Sequence, residues 1–192
     1  DEPLSNLDAK LREEARAWLR ELIVRLQLSA LCVTHDQGEA MAMSDRILLL
    51  NNGRIEQQGT PLEMYSDPKT LFAADFMGSN NQLKGNVTEV RDGIATLSGD
   101  GWKIAGVTRP GTTGGKPGVA MIRVERVRVA ASAGDNRIAA KLITSMYIGD
   151  RFEHLFELEN SRIRAYGETA LNAGAAYFVD LPRDAIWVFP TA

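Results

Sequence analysis

A chain of 192 residues is long enough for one large domain or two small ones. With 22 basic against 25 acidic residues, a net charge of −3 and 7% aromatics, it carries no electrostatic footprint for nucleic acid or an anionic membrane. Its apolar runs, such as Ile47-Leu48-Leu49-Leu50, are too short to span a bilayer, acidic Asp1-Glu2 stands where a secretory signal would be basic, and the single Cys32 permits no internal disulfide. In an apolar run, Cys32 reads as a buried thiol in a reducing, cytoplasmic compartment.

Leu11, Ala15, Trp18, Leu19, Leu22, Ile23 and Leu26 recur at helical spacing and predict an amphipathic helix of roughly five turns. Arg12, Arg16 and Arg20 share another face, for which solvation and i,i+4 pairing with glutamates are explanation enough. Ala30-Leu31-Cys32-Val33-Thr34 reads as a short buried strand. Asp36 followed by Glu39 gives a capping-box-like helix start. Arg46–Leu50 and Arg54–Gly59 are strands joined by Asn52-Gly53, the signal of a type I′ hairpin. Thr60-Pro61 heads a short helix, and another runs near Lys69 to Met77. Such alternation points to a layered α/β arrangement.

Gly78-Ser79-Asn80-Asn81 breaks the pattern, and short β segments follow: Leu83–Val90, Ile94–Leu97, Val119–Val124, Arg137–Ile148, Arg151–Leu158, Arg162–Ala165, Tyr177–Leu181 and Ile186–Phe189. Glycine-containing turns separate them, as in a small barrel or sandwich. Ile138, Ala140, Leu142, Met146 and Ile148 alternate as a half-buried strand requires. His154, in the alternating strand Phe152–Phe156, reads as structural, and two histidines and one cysteine offer no protein-ligated zinc site. Gly114-Gly115-Lys116 is not a phosphate-binding loop, because Pro110 and Pro117 stand where a glycine and a metal-binding hydroxyl are needed. Leu97-Ser98-Gly99-Asp100-Gly101 reads as a strand end and turn.

Asp1-Glu2-Pro3-Leu4-Ser5-Asn6-Leu7-Asp8 followed by Val33-Thr34-His35-Asp36-Gln37 resembles the back half of the nucleotide-binding domain of ABC transporter ATPases. Ser44-Asp45-Arg46-Ile47, Gly53-Arg54-Ile55 and Gln58-Gly59-Thr60-Pro61 continue the family's order, so the resemblance covers residues 1–80. Gly38 departs from it, since a helix former is usual there, at a helix cost of up to about 1 kcal/mol. The resemblance implies that Asp1 holds a hydrated Mg2+ at the Walker-B position and that Glu2 is the general base for the attacking water. It implies that Ser5–Asp8 form the D-loop, with Asp8 at the nucleotide-bearing dimer interface, and that His35 contacts the ATP γ-phosphate.

Residues 81–192 resemble the transport-associated OB-type domain of importer ATPases, through Asn80-Asn81, Leu83-Lys84-Gly85, Met121-Ile122-Arg123, Ser145–Arg151 and Asp184–Phe189. The expected fold class is α+β: the C-terminal part of an α/β P-loop ATPase domain, then an all-β OB-type barrel. The implied parent is the ATP-binding subunit of an ABC importer, similar to the polyamine, ferric iron, phosphonate and sugar families. It would work as a homodimer with transmembrane permease subunits and a solute-binding protein, peripheral on the inner face of the cell membrane. A chain with no Walker A loop and no signature loop is expected to be inactive alone. Its uncovered first helix, with Trp18, Leu22 and Ile23, is expected to drive self-association. The alternative is a β module acting without catalysis, as a dimerisation spacer or a small-ligand or anion sensor using Gly114–Lys116 or Gly149–Arg151.

Overall fold

Caps and turns written into the sequence set the first elements in a computed structural model that describes residues 2–191. Helix α1 (Ala9–Leu26) begins where the Asp8 carboxylate accepts the Leu11 N–H. It ends at Gln27, whose φ of 52° lets Leu28 N–H return to the Ile23 carbonyl and Gln27 N–H to that of Val24. Helix α2 (Gln37–Met43) is capped by Asp36, and the hairpin of β1 (Ile47–Asn51) and β2 (Arg54–Gly59) turns through Asn52 (φ 50°) and Gly53 (φ 75°). Helix α3 (Pro61–Ser66) opens on a full capping box between Thr60 and Glu63, and α4 (Leu71–Phe76) is capped by Thr70. The chain divides into two compact units, Asp1–Gly78 and Ser79–Ala192.

The first unit has a small core of Ile47, Leu49, Met64, Ala73 and Met77, against which Ala40, Met41 and Phe72 pack. Buried Gln57 staples the segment between α3 and α4, donating to the Asp67 carbonyl and accepting the Lys69 N–H. Three expectations change here. Ala30–Thr34 is irregular, because no strand among the described residues lies alongside to complete a ladder; one bond, Glu2 N–H to the Val33 carbonyl at 2.7 Å, ties it down. Cys32 on that run is therefore exposed. The arginine face of α1, expected to be solvated, instead packs toward α2: Arg20 reaches the Met43 carbonyl and Asp45, and Arg16 lies over Gly38, where a β-carbon would sit 2.6 Å from Nη1. No residue of α1 is buried, and Trp18 is 59% exposed.

The second unit begins with β3 (Asn80–Arg91), β4 (Ile94–Gly99), β5 (Trp102–Thr108) and β6 (Pro117–Arg123), followed by a 3-10 turn (Val124–Arg126) and β7 (Arg128–Ala130). Then come β8 (Arg137–Tyr147), β9 (Phe152–Leu158), β10 (Ser161–Gly167) and β11 (Ala176–Asp180), a second 3-10 turn (Arg183–Ala185) and β12 (Ile186–Pro190). Strands β5 and β7 are additions to the sequence reading. One sheet closes as β12-β5-β4-β3-β6, with β12 parallel to β5, which is the five-strand order of an OB barrel. The other is ordered β10-β9-β8-β11-β7.

These two sheets are copies of one another. Each contains a three-strand meander whose fourth strand returns beside the first, then a 3-10 turn, and each is completed by the strand that follows the other's four: β12 lies beside β6, and β7 beside β11. Even the β-bulges correspond, between Val87 and Glu89 in β3 and between Leu142 and Thr144 in β8. The second bulge turns Met146 and Ile148 outward to 43% and 51% exposure, against the expected alternation. Two asparagines join the copies at matching positions. Asn81 Oδ1 accepts the Arg164 N–H at 2.7 Å and its Nδ2 donates to the Arg164 carbonyl at 2.8 Å. Asn136 does the same to Ala105, at 2.8 and 2.7 Å. A side-chain amide thus supplies the donor and acceptor that a neighbouring strand would otherwise provide. The core runs unbroken through both sheets, from Leu83, Leu97 and Ile104 to Leu142, Phe156, Ile163 and Val188.

Candidate functional site

Of the residues singled out by the motifs, Glu2 and His35 come together. Glu2 has a φ of 42°, a left-handed conformation that a non-glycine residue adopts only when its surroundings hold it. Its N–H is fixed on the Val33 carbonyl at 2.7 Å, and its own carbonyl accepts from the Ser5 N–H and the Ser5 hydroxyl. Its carboxylate is thereby aimed at His35, with Oε1 2.6 Å from Nδ1. The hydrogen bond that His35 donates to the Glu2 carboxylate, then the negative charge of Glu2, raises the His35 pKa above its ordinary value, and Asp36 and Glu39 add to the effect. Both side chains are open to solvent, His35 at 75% and Glu2 at 47%.

Thr34 sets the backbone beneath this pair. Its hydroxyl donates to Glu39 Oε2 at 2.7 Å and accepts the Asp36 N–H at 3.0 Å, while Asp36 caps α2 by accepting the Glu39 N–H. Glu39, 2% exposed, spends its carboxylate on Thr34, so only half of the expected capping box forms. Arg12 completes the surround, donating to the Leu7 carbonyl at 2.9 Å and lying 3.8 Å from Asp36. Glu2, Ser5, Arg12, Thr34, His35, Asp36 and Glu39 line one small recess. Ser5 and Thr34 fall inside the sequence motifs without a role of their own there, and Arg12 falls outside them. Arg12 sat in the arginine stripe of α1 and Thr34 at the end of an apolar run, and neither pattern announces a pocket.

Asp8 stands apart from the pair, at the head of α1, with its carboxylate engaged by the Leu11 N–H at 3.0 Å. Asp1 lies outside the described residues. Among the described residues no group of three His, Cys, Asp or Glu side chains could hold a metal ion. The site as described offers a carboxylate that can take a proton, an imidazole that can donate or orient, and a nearby guanidinium.

In the turns expected as anion sites, one donor of each is engaged within the protein. The Gly115 N–H goes to the Val87 carbonyl at 2.7 Å, and Arg151 pairs with Asp150 while stacking 5.1 Å from the Tyr166 ring. No helix among the described residues is long and apolar enough to cross a membrane.

No family model matches the chain. Among curated proteins, an Fe(3+) ions import ATP-binding protein of Rhizobium etli is 41% identical over 162 residues, which is 83% of this chain and 44% of that protein. A spermidine/putrescine import ATP-binding protein of Nostoc sp. is 39% identical over 166 residues, 83% of this chain and 44% of that protein. The chain spans about half the length of the curated relatives it matches. Among solved structures, the cytoplasmic molybdate-binding protein ModG, in a form with molybdate bound, aligns with a TM-score of 0.50 at 17% identity, covering 58% of this chain and 96% of that one. That likeness concerns fold alone, and its extent is the size of the second unit.

Proposed function

The chain is a relative of the ATP-binding subunits of ABC importers, and on that premise we propose that it contributes the hydrolytic half of such a subunit's nucleotide site, followed by its OB-type domain. The complete protein would hydrolyse ATP at sites shared across a homodimer and drive solute entry through permease subunits and a solute-binding protein, on the cytoplasmic face of the membrane. The observation that carries this reading is the Glu2–His35 pair, 2.6 Å apart.

In this reading Glu2 takes the proton of the attacking water and His35 orients that water and the γ-phosphate. The two groups hold one another until the substrate's negative charge draws the imidazole away and leaves the carboxylate able to accept a proton. Asp1 would hold Mg2+, which supplies charge neutralisation on the phosphates, and Asp8 would face the second subunit while capping α1. With no glycine-rich phosphate loop in its 192 residues, this chain alone hydrolyses no ATP.

The test is ATP hydrolysis by the full-length gene product and its Glu2→Gln and His35→Ala variants. Each variant should lose about a hundredfold or more in kcat, the usual scale of general acid–base assistance. Parent-like turnover in both variants would overturn the assignment.

A further inference from the structure

The two copies in the second unit are sealed differently. In the first, β12 runs along β5 through Trp187↔Val107 and Val188↔Thr108. In the second, β7 comes beside β10 without a ladder, and a recess of about 550 Å³ opens there. Val127, Val129, Leu171, Tyr166 and Tyr177 give it apolar and aromatic walls, and the buried His154 forms part of its floor. At the position matching His154, the first copy has Ala95, fully buried and without polar demand.

His154 is 1% exposed. Its Nδ1 lies 3.0 Å from Ser145 Oγ, which in turn accepts the Leu171 N–H. No other acceptor for the Ser145 hydroxyl hydrogen occurs among the described residues, so we assign that hydrogen to Nδ1 and the ring proton to Nε2. Burial lowers the His154 pKa and keeps the ring neutral. No hydrogen-bond partner for Nε2 occurs among the described residues. Nε2 faces Gly167, where a β-carbon would sit 2.4 Å away, so the missing side chain leaves the donor open. An acceptor entering the recess would take a proton that has no partner among the described residues.

We propose that this seam binds a small uncharged aromatic or heteroaromatic compound whose oxygen or nitrogen acceptor takes the Nε2–H of His154, with its ring against the walls of the recess. The site's volume suits such a ligand. A carboxylate is disfavoured, because one neutral donor does not offset its desolvation and the rim offers both Arg128 and Glu125. This site stands independently of the nucleotide chemistry of the first unit.

Titration of the 192-residue chain with benzamide and, separately, benzoate, read on the His154 ring resonances, tests it. Benzamide should shift the His154 Nε2 signal saturably, and benzoate should bind at least tenfold more weakly. Gly167→Ala, which fills the space before Nε2, and His154→Phe, which keeps a ring but removes the donor, should each weaken benzamide at least tenfold with an unchanged circular dichroism spectrum. Should the tight alanine fit unfold the first variant, the second decides. An unmoved His154 signal, or benzamide binding both variants as well as the parent, overturns the site; benzoate binding as tightly as benzamide overturns the uncharged class.

Discussion

The two units of this chain are built on different scales. Around five side chains form the core of the first, and its proposed chemistry sits on irregular backbone held by a few local hydrogen bonds, at Glu2, Thr34 and His35. The second threads one core through a closed barrel and an open five-strand sheet that exchange their last strands, and fixes them to one another with side-chain amides. Apolar burial drives folding in proportion to area, so the second unit carries its own stability and the first is the more easily loosened. The histidines mark the contrast. His35 is exposed and paired with a carboxylate, whereas His154 is buried and bonded to a hydroxyl.

Truncations separate the units most widely. Phe156→Ala, at a fully buried ring that meets His154 and Tyr177 edge-on, should destabilise the second unit by about 3–5 kcal/mol in denaturant melts. Trp18→Ala in the first should stay within about 0.5 kcal/mol, since that ring is 59% exposed. A large loss at Trp18 would mean that α1 is covered in solution by a second copy, which sedimentation would reveal.

Next in size are the two asparagines. Asn81→Leu and Asn136→Leu each leave a strand N–H and carbonyl without partners, at Arg164 and Ala105, and each should cost about 2–4 kcal/mol. Similar losses at both would sharpen the duplication; a cost at one alone would break it. Asp8→Ala removes the cap of α1 and should cost about 1 kcal/mol, confined to the first unit.

Much of this architecture is legible in the sequence, where local chemistry decides it. Thr60-Pro61 with Glu63, Asn52-Gly53 and Asp36 with Glu39 name their caps and turn without help from the rest of the chain. Ala30–Thr34 misleads because an apolar β-branched run becomes a strand only where another strand offers a ladder. Strand β5 hides between Gly99-Asp100-Gly101 and a stretch of small residues, although Trp102 and Ile104 alternate correctly and are buried. The duplication escapes notice because the copies share spacing more than identity: Asn81 matches Asn136, but Leu83 answers to Ile138 and Leu97 to Phe156. Motif order brings Glu2 and His35 into view, but not Arg12 or Thr34, which reach the recess only through the folding of α1 and the cap of α2.

Acidity should act on the histidines in opposite senses. The raised pKa of His35 means that its pairing with Glu2 is fully present below the ordinary value of about 6.5 and is lost as pH rises through the raised value. His154, with its pKa lowered by burial, favours the fold fully above that ordinary value, and the advantage fades as pH falls below it. A titration of both imidazoles by NMR, in the parent and in Glu2→Gln, tests the proposed pair most directly. His35 should titrate above and His154 below the ordinary histidine range, and Glu2→Gln should return His35 toward that range without moving His154. A His35 that titrates at its ordinary value in the parent, or is indifferent to Glu2→Gln, would contradict the pair on which the proposed chemistry depends.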